Sequence, residues 1–110
     1  MSEESVQEVI RQQVAENPII LYMKGSPDQP MCGFSQRAAQ ALAGCGREFA
    51  YVDVLQDERI RQGIKEFGDW PTIPQLYIDG ELAGGCDIIM EMFESGELQQ
   101  MVDNAGAQAS

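Results

Sequence analysis

A short apolar run that leads into a cysteine-bearing loop constrains this chain more than any other feature. Residues 19–23 are apolar and partly β-branched, which predicts a buried strand. Residues 25–30 contain two prolines and one glycine and therefore predict a loop. Cys32 then stands just before a predicted helix that runs to Cys45. The sequence thus places a thiol at the N-terminus of a helix that follows a strand.

The position of Cys32 favours its thiolate form. The free backbone N–H groups and the positive end of the dipole at a helix N-terminus stabilise an anion. The ammonium group of Lys24, where the strand ends, acts in the same direction. A buried apolar residue is the commoner state of a lone free cysteine. The loop and the small neighbour Gly33 nevertheless favour an exposed, reactive Cys32.

Composition excludes several classes of function. The chain of 110 residues suits a single domain, 1–110, with a core at about 5–105 and a frayed tail. The net charge of −11 makes nucleic acid and anionic membrane surfaces poor partners. No apolar run approaches the roughly 20 residues of a membrane helix. The first residues are acidic, whereas a targeting peptide is basic and apolar. We therefore expect a cytoplasmic protein.

The absence of histidine narrows the chemistry further. The chain alone cannot form a Ser-His-Asp triad, a Cys-His pair or a His-ligated metal site. Its three cysteines imply no disulfide framework. Cys45 falls on the apolar face of its helix and is predicted to be a core residue. Cys32 is therefore the leading soft metal ligand.

The rest of the chain alternates between helix and strand signals. The predicted elements are a helix at 3–15, strands at 19–23 and 48–54, a helix from Asp57 to about Gly68, strands at 75–78 and 81–84, a helix from about Asp87 to Gly96, and a last short helix around 98–102. The strand–helix–strand order implies a parallel pair. Asp79-Gly80 predicts a hairpin turn. A cis Ile73–Pro74 bond is possible, although composition alone favours trans.

Four separated motifs carry a resemblance to a known family. They are Met23-Lys24-Gly25, Cys32-Gly33-Phe34-Ser35, Trp70-Pro71-Thr72-Ile73-Pro74-Gln75 and Gly84-Gly85-Cys86-Asp87. In this order they closely resemble the monothiol glutaredoxins, above all the single-domain bacterial kind. The resemblance implies a thioredoxin-like α/β fold, in which a four-stranded mixed sheet is flanked by about five helices.

The resemblance also implies a glutathione groove with a cis-proline, Pro74, facing Cys32. The residues that it assigns to glutathione are Lys24, Cys32, Phe34, Arg61, Ile73, Pro74, Cys86 and Asp87. Within this set, Lys24 and Arg61 match the positions that contact the glycine carboxylate. Because glutathione is an anion, an acidic chain must supply local positive charge to hold it.

The remaining assignments come from the same resemblance. The backbone of Ile73 matches the position that pairs with the cysteinyl part of glutathione, and Cys86 and Asp87 match the helix start at its γ-glutamyl end. Only the resemblance selects Arg61 over its neighbour Arg59, since either could be a solvated helix charge.

Ser35 decides between two kinds of function. A dithiol reductase releases its substrate when a second cysteine, one turn along the helix, attacks the mixed disulfide. Ser35 occupies that position and cannot do so. The favoured hypothesis is therefore a carrier of a [2Fe–2S] cluster, which is coordinated by four thiolates. The resemblance supplies these from Cys32 and glutathione in each half of a homodimer, and adds BolA-like proteins and recipient apo-proteins as partners.

The alternative hypothesis is a glutathione-dependent thiol–disulfide oxidoreductase that uses Cys32 as its nucleophile. Cys86 would serve as a resolving cysteine if its Cα atom lay within about 7 Å of that of Cys32. A purely structural role for Cys86 at a helix start is slightly favoured over a redox role.

Overall fold

The computed structural model describes residues 3–106. Its helices are α1 (Glu3–Glu16), α2 (Gly33–Gly44), α3 (Glu58–Phe67), α4 (Cys86–Ser95) and α5 (Glu97–Asn104), and its strands are β1 (Ile19–Met23), β2 (Ala50–Asp53), β3 (Gln75–Ile78) and β4 (Glu81–Gly84). The strands form one mixed sheet in the order β2-β1-β3-β4. β1 runs parallel to β2 and antiparallel to β3, and β3 and β4 form a hairpin. The predicted four-stranded sheet with five helices is confirmed.

Residues of β1 alternate between the two sides of the sheet. Ile20 and Tyr22 pack with apolar side chains of α1 and α3, whereas Leu21 and Met23 pack with those of α2, α4 and α5. All of β1 is buried, and burying each large apolar side chain contributes about 1.5–3 kcal/mol. The strand therefore belongs to two separate cores. Their packing fixes the C-terminal end of β1, where the cysteine loop begins.

The second strand is shorter than the predicted 48–54: it begins two residues later, at Ala50, and Asp53 ends it one residue earlier. The Asp53 carboxylate accepts a hydrogen bond from the Leu55 N–H at 3.0 Å, which starts the 3₁₀ turn Val54–Gln56. The same oxygen accepts from the Gly25 N–H at 2.9 Å. Asp53 thus joins the end of the edge strand to the start of the cysteine loop. This long-range contact leaves no signal in the local sequence.

The other element boundaries agree closely with the sequence. β3 and β4 have the predicted bounds, and Asp79 and Gly80 both have the positive φ angles of a hairpin turn, 51° and 85°. Asp57 accepts from the Arg59 N–H at 2.9 Å and caps α3, which therefore begins next to the predicted start. Of the tail predicted to fray, residues 107–110 lie outside the described residues. No helix in residues 3–106 is long and apolar enough to cross a membrane.

Candidate functional site

Gly25 turns the chain out of β1 and into the loop that carries the cysteine. Its φ of +89° is one that residues with a side chain rarely adopt. A Cβ atom there would collide with the Gln29 carbonyl oxygen and lie 2.7 Å from the Met31 nitrogen. The Met31 N–H donates to the Lys24 carbonyl at 2.9 Å and closes the loop. The loop therefore delivers Cys32 to the start of α2 in a defined position.

Cys32 is the N-cap residue of α2 and has an extended backbone, with φ −158° and ψ 138°. Its side chain is half-buried. The backbone N–H of Ser35 lowers the pKa of the Cys32 thiol most, burial partly opposes this effect, and the Phe34 N–H and the Lys24 ammonium lower the pKa further. The sulfur makes no cap hydrogen bond of normal geometry, so the amides act through their dipoles. The predicted thiolate-favouring environment is present.

Ser35 is buried in the first turn of α2. Its Oγ accepts a hydrogen bond from the Lys24 N–H at 3.0 Å. The hydroxyl therefore links the end of β1 to the first turn of α2. The position that would hold a second thiol in a dithiol site is occupied by a buried structural hydroxyl.

A groove of about 430 Å³ reaches Phe34, two residues after Cys32, but Cys32 itself is not among its lining residues. The groove is lined by Lys24, Phe34, Lys65, Trp70, Pro71, Thr72, Ile73, Pro74, Gly85, Cys86, Asp87 and Ile88. Four segments build it: the end of β1 with the start of α2, Lys65 of α3, the loop before β3, and the start of α4. The Ile73–Pro74 bond in the loop before β3 is cis, as the resemblance implied and composition alone did not.

The cations of the groove differ from those expected. Lys24 lines the groove, but Arg61 does not, and its guanidinium lies 3.8 Å from the Glu58 carboxylate. Lys65, one helical turn after Arg61 on α3, lines the groove instead. Sequence reasoning missed Lys65, although a spacing of four places both residues on one side of a helix. The proposed contact of Arg61 with glutathione stays a prediction.

Comparison with known proteins assigns the family. A family model described as Glutaredoxin matches residues 19–83. Glutaredoxin 4 of Escherichia coli K12 is 59% identical over 100 residues, which are 91% of this chain and 87% of that protein. This chain belongs to the glutaredoxin family. Glutaredoxin 4 of Pasteurella multocida is 55% identical over 98 residues, which cover 89% and 90% of the two chains.

A solved structure agrees with the architecture of this glutaredoxin. The solution structure of reduced poplar apo GrxS14 superimposes with a TM-score of 0.82 at 44% sequence identity and covers 100% of both chains. The thioredoxin-like fold expected from the motifs is therefore confirmed. Most of the residues that the resemblance assigned to glutathione line the groove.

The second cysteine of this glutaredoxin's site differs from the first. Cys86 lines the groove as the first residue of α4 and is only 9% exposed. Burial raises the pKa of the Cys86 thiol, and the negative charges of Asp87 and Cys32 raise it too, while Arg37 opposes them. All three cysteines are free thiols, and Cys45 is buried as predicted. The charges of the two cysteines therefore interact, and burial favours the protonated form of Cys86.

Proposed function

We propose that this chain is a monothiol glutaredoxin that carries a [2Fe–2S] cluster as cargo between two subunits and two glutathione molecules. One observation carries the proposal. A thiol with a lowered pKa lies at the edge of a cationic groove, and the position one turn along the helix holds the buried hydroxyl of Ser35. Such a site can present one thiolate to a metal, but it cannot release a mixed disulfide in the manner of a dithiol reductase.

The groove has the charge pattern that glutathione requires. Glutathione has two carboxylates and one ammonium group. The half-buried Lys24 and Lys65 line the groove and offer positive charge, despite the chain's net charge of −11. The exposed Asp87 also lines the groove and can pair with the γ-glutamyl ammonium, while N–H groups at the start of α4 receive the γ-glutamyl carboxylate. In this arrangement the glutathione thiol lies beside Cys32.

The cluster ligands cannot all come from one chain. A [2Fe–2S] cluster is held by four thiolates or their equivalents. Within residues 3–106, no group of three or more cysteine or acidic side chains is arranged to hold a metal ion. Cys32 and one glutathione supply two thiolates, and a second copy of each completes the set. Met31 and Phe34, which flank the thiol, are 68% and 55% exposed and offer apolar surface to the second subunit.

The test is an anaerobic reconstitution with iron, sulfide and glutathione, followed by visible absorption and gel filtration. We expect a chromophore that elutes as a dimer and that does not form when glutathione is omitted. Cys32→Ser should abolish the chromophore, because it removes the protein's thiolate. Cys86→Ser is the matched control and should retain it. An unchanged cluster yield in Cys32→Ser would refute the ligand assignment.

A second candidate function is removal of glutathione from protein thiols. The Cys32 thiolate attacks the glutathione sulfur of a mixed disulfide, and the substrate's thiolate leaves. A second glutathione thiolate then attacks the Cys32–glutathione disulfide, which yields oxidised glutathione and restores Cys32. The presence of a second thiol, Cys86, in the same groove favours this candidate.

Turnover of a glutathionylated model protein separates the two candidates. A colourless monomer under all reconstitution conditions, together with rapid turnover that Cys32→Ser abolishes, would favour the enzyme. Ser35→Cys should raise this activity, since it restores a second thiol one turn along α2. If Cys86 resolves the intermediate, Cys86→Ser should slow turnover at low glutathione concentration and have little effect at high concentration.

The proposed partners and location follow from the same hypothesis. A cluster shared between subunits can pass to a recipient apo-protein, and BolA-like proteins are the expected complex partners. We place the protein in the cytoplasm. A coexpressed BolA-like protein that fails to bind the cluster-loaded form would refute the predicted complex.

A further inference from the structure

We propose that Gln75 is a positioning residue for the groove: its side-chain amide holds the Trp70–Pro74 loop in place from beneath. The consequence for ligand binding rests on the proposed glutathione-binding function. The loop contributes five consecutive residues to the lining of the groove. Gln75 itself is the first residue of β3 and is absent from that lining. Its effect on a ligand would therefore be indirect.

The side-chain amide of Gln75 is buried, and its NH₂ group donates hydrogen bonds to the loop. The residue has no exposed surface. Its Nε2 donates to the Trp70 carbonyl at 3.0 Å and to the Thr72 carbonyl at 3.2 Å. These two carbonyls flank Pro71, which has no N–H and cannot donate a hydrogen bond within the turn. The side chain thus replaces the backbone partners that an irregular loop lacks.

Tyr77 fixes the orientation of that amide. The Tyr77 hydroxyl donates to the Gln75 Oε1 at 2.8 Å. Because backbone carbonyls only accept hydrogen bonds, the Nε2 of Gln75 must face the loop and its Oε1 must face Tyr77. The Tyr77 ring is 2% exposed and packs against the rings of Tyr22 and Phe67. The loop is therefore connected through Gln75 to the aromatic core on the α1 and α3 side of the sheet.

Gly68 leaves room for this network. A Cβ atom at Gly68 would collide with the Tyr77 hydroxyl and lie 3.0 Å from the Gln75 Oε1. The backbone of Gly68 has φ −91°, which any residue can adopt. Space for the hydrogen bond, rather than backbone conformation, is therefore what excludes a side chain here.

The network controls one side of the groove and not the other. Thr72, Ile73 and Pro74 form the side that depends on Gln75. Cys32 is not bonded to this network, and its pKa is set by the amides of α2 and by Lys24. Loss of the Gln75 hydrogen bonds should therefore weaken ligand binding and leave the thiol's reactivity unchanged. A defect that was merely structural would reduce both together.

The single tryptophan of the chain makes the loop directly observable. Trp70 is the only tryptophan, and its own carbonyl is one of the two that Gln75 holds. The fluorescence of Trp70 and its quenching by acrylamide therefore measure how well the loop is held in place, and no ligand is needed. Titration with S-methylglutathione, which cannot form disulfides, measures binding to the groove. Alkylation of Cys32 by iodoacetamide measures the thiol.

The variants are Gln75→Met, which removes the amide, and Tyr77→Phe, which removes only the hydroxyl. Tyr22→Phe is the matched control, because Tyr22 is equally buried and donates to the Gln13 Oε1 at 2.8 Å, away from the loop. We expect increased quenching of Trp70 in Gln75→Met and Tyr77→Phe. We expect S-methylglutathione affinity to fall on the order of tenfold in Gln75→Met and less in Tyr77→Phe. Tyr22→Phe should change neither, and Cys32 alkylation should be unchanged throughout.

Several outcomes would overturn the proposal. Unchanged Trp70 quenching in Tyr77→Phe and Gln75→Met would do so, as would equal effects in Tyr22→Phe. If Gln75→Met does not fold, Tyr77→Phe decides alone. Failure of the unmodified protein to bind S-methylglutathione would instead refute the proposed function, and the ligand-free quenching would still decide the role of Gln75.

Discussion

Two helices begin at the groove, and each has a cysteine at its N-terminus. The pKa of one thiol is lowered and that of the other is raised. Cys32 is the N-cap of α2, is half-buried, and has a lowered pKa. Cys86 is the first residue within α4, is almost completely buried, and has a raised pKa. Both helices expose free N–H groups at this end. A helix N-terminus alone therefore does not make a thiol reactive.

Burial and the nearest charge account for the difference. Desolvation is the largest influence on Cys86, and Asp87 adds a negative charge in the same first turn. The Ser35 N–H is the largest influence on Cys32, and Lys24 adds a positive charge. The pKa of each thiol thus depends on the helix N-terminus together with burial and the nearest charge. For Cys86, burial and the charge of Asp87 outweigh the helix N-terminus.

Removal of each cysteine in turn should give the largest effect. At pH 7 the iodoacetamide reaction of the folded protein should slow on the order of tenfold or more in Cys32→Ser, because thiolates and not thiols react. Cys86→Ser should leave the fast reaction intact. Mass spectrometry of the labelled peptides assigns each rate to a cysteine. Equal loss in the two variants would contradict the comparison.

The pH dependence of the same reaction sharpens the contrast. A lowered pKa means that the thiolate persists to lower pH, so alkylation of Cys32 in Cys86→Ser should reach half its maximum below the pH of an unperturbed cysteine. A raised pKa means the reverse for Cys86 in Cys32→Ser. Alkylation rates measured from pH 5 to pH 10 against a short cysteine peptide provide the reference. Coincident profiles would contradict the opposite pKa shifts.

Ser35→Ala should have the next largest effect. It should change the protein's stability and the pKa of Cys32, but not the pKa of Cys86. The change leaves the Lys24 N–H without its acceptor, and a buried unsatisfied donor costs about 1–3 kcal/mol. It also removes a hydroxyl that lowers the pKa of Cys32. Urea denaturation measures the first effect and the alkylation profile the second.

The matched control for Ser35→Ala is Ser95→Ala. Ser95 is exposed at the end of α4, and its Oγ bonds only to nearby backbone, at 3.2 Å and 3.3 Å. It should cost little stability and leave the Cys32 profile unchanged. Equal destabilisation by the two substitutions would show that the link from β1 to α2 has no special weight.

Asp87→Asn should have the smallest effect and acts on the other helix. Removing the negative charge should lower the pKa of Cys86, while burial continues to raise it. In a Cys32→Ser background, alkylation of Cys86 should accelerate a few-fold, as expected for one partly exposed charge. Glu91→Gln, farther along α4, is the control and should have no effect. Loss of γ-glutamyl binding is a separate expected consequence of Asp87→Asn.

Local sequence signals predicted the elements, and long-range contacts account for what they missed. Pro74 and Asp79-Gly80 mark the hairpin so strongly that β3 and β4 were predicted residue by residue. The C-terminal end of β2 was predicted one residue too late, because the contact of Asp53 with Gly25 joins it to the neighbouring strand's loop. Periodicity does not fix the rotation of α3 about its axis relative to the groove.

The site was predictable to the extent that it depends on position along the chain. Cys32 follows from its strand–loop–helix setting, and Pro74 and Cys86 follow from the motifs. Gln75 ends one of the four motifs, but the resemblance assigned it no role, because a polar residue in a strand is not distinguishable from a solvent-facing one until its partners are known. Its importance is visible only from the carbonyls of Trp70 and Thr72 that it meets.

The order of the strands has a consequence for how the protein is made. β1 is central in the sheet, yet both of its neighbours are encoded after it. A ribosome adds Cys32 long before it adds Lys65, Pro74 or Cys86, which complete the groove. The nascent thiol therefore exists at first without the groove. Synthesis must reach the start of α4 before all the lining residues are present, so any chain interrupted earlier carries Cys32 without a complete groove.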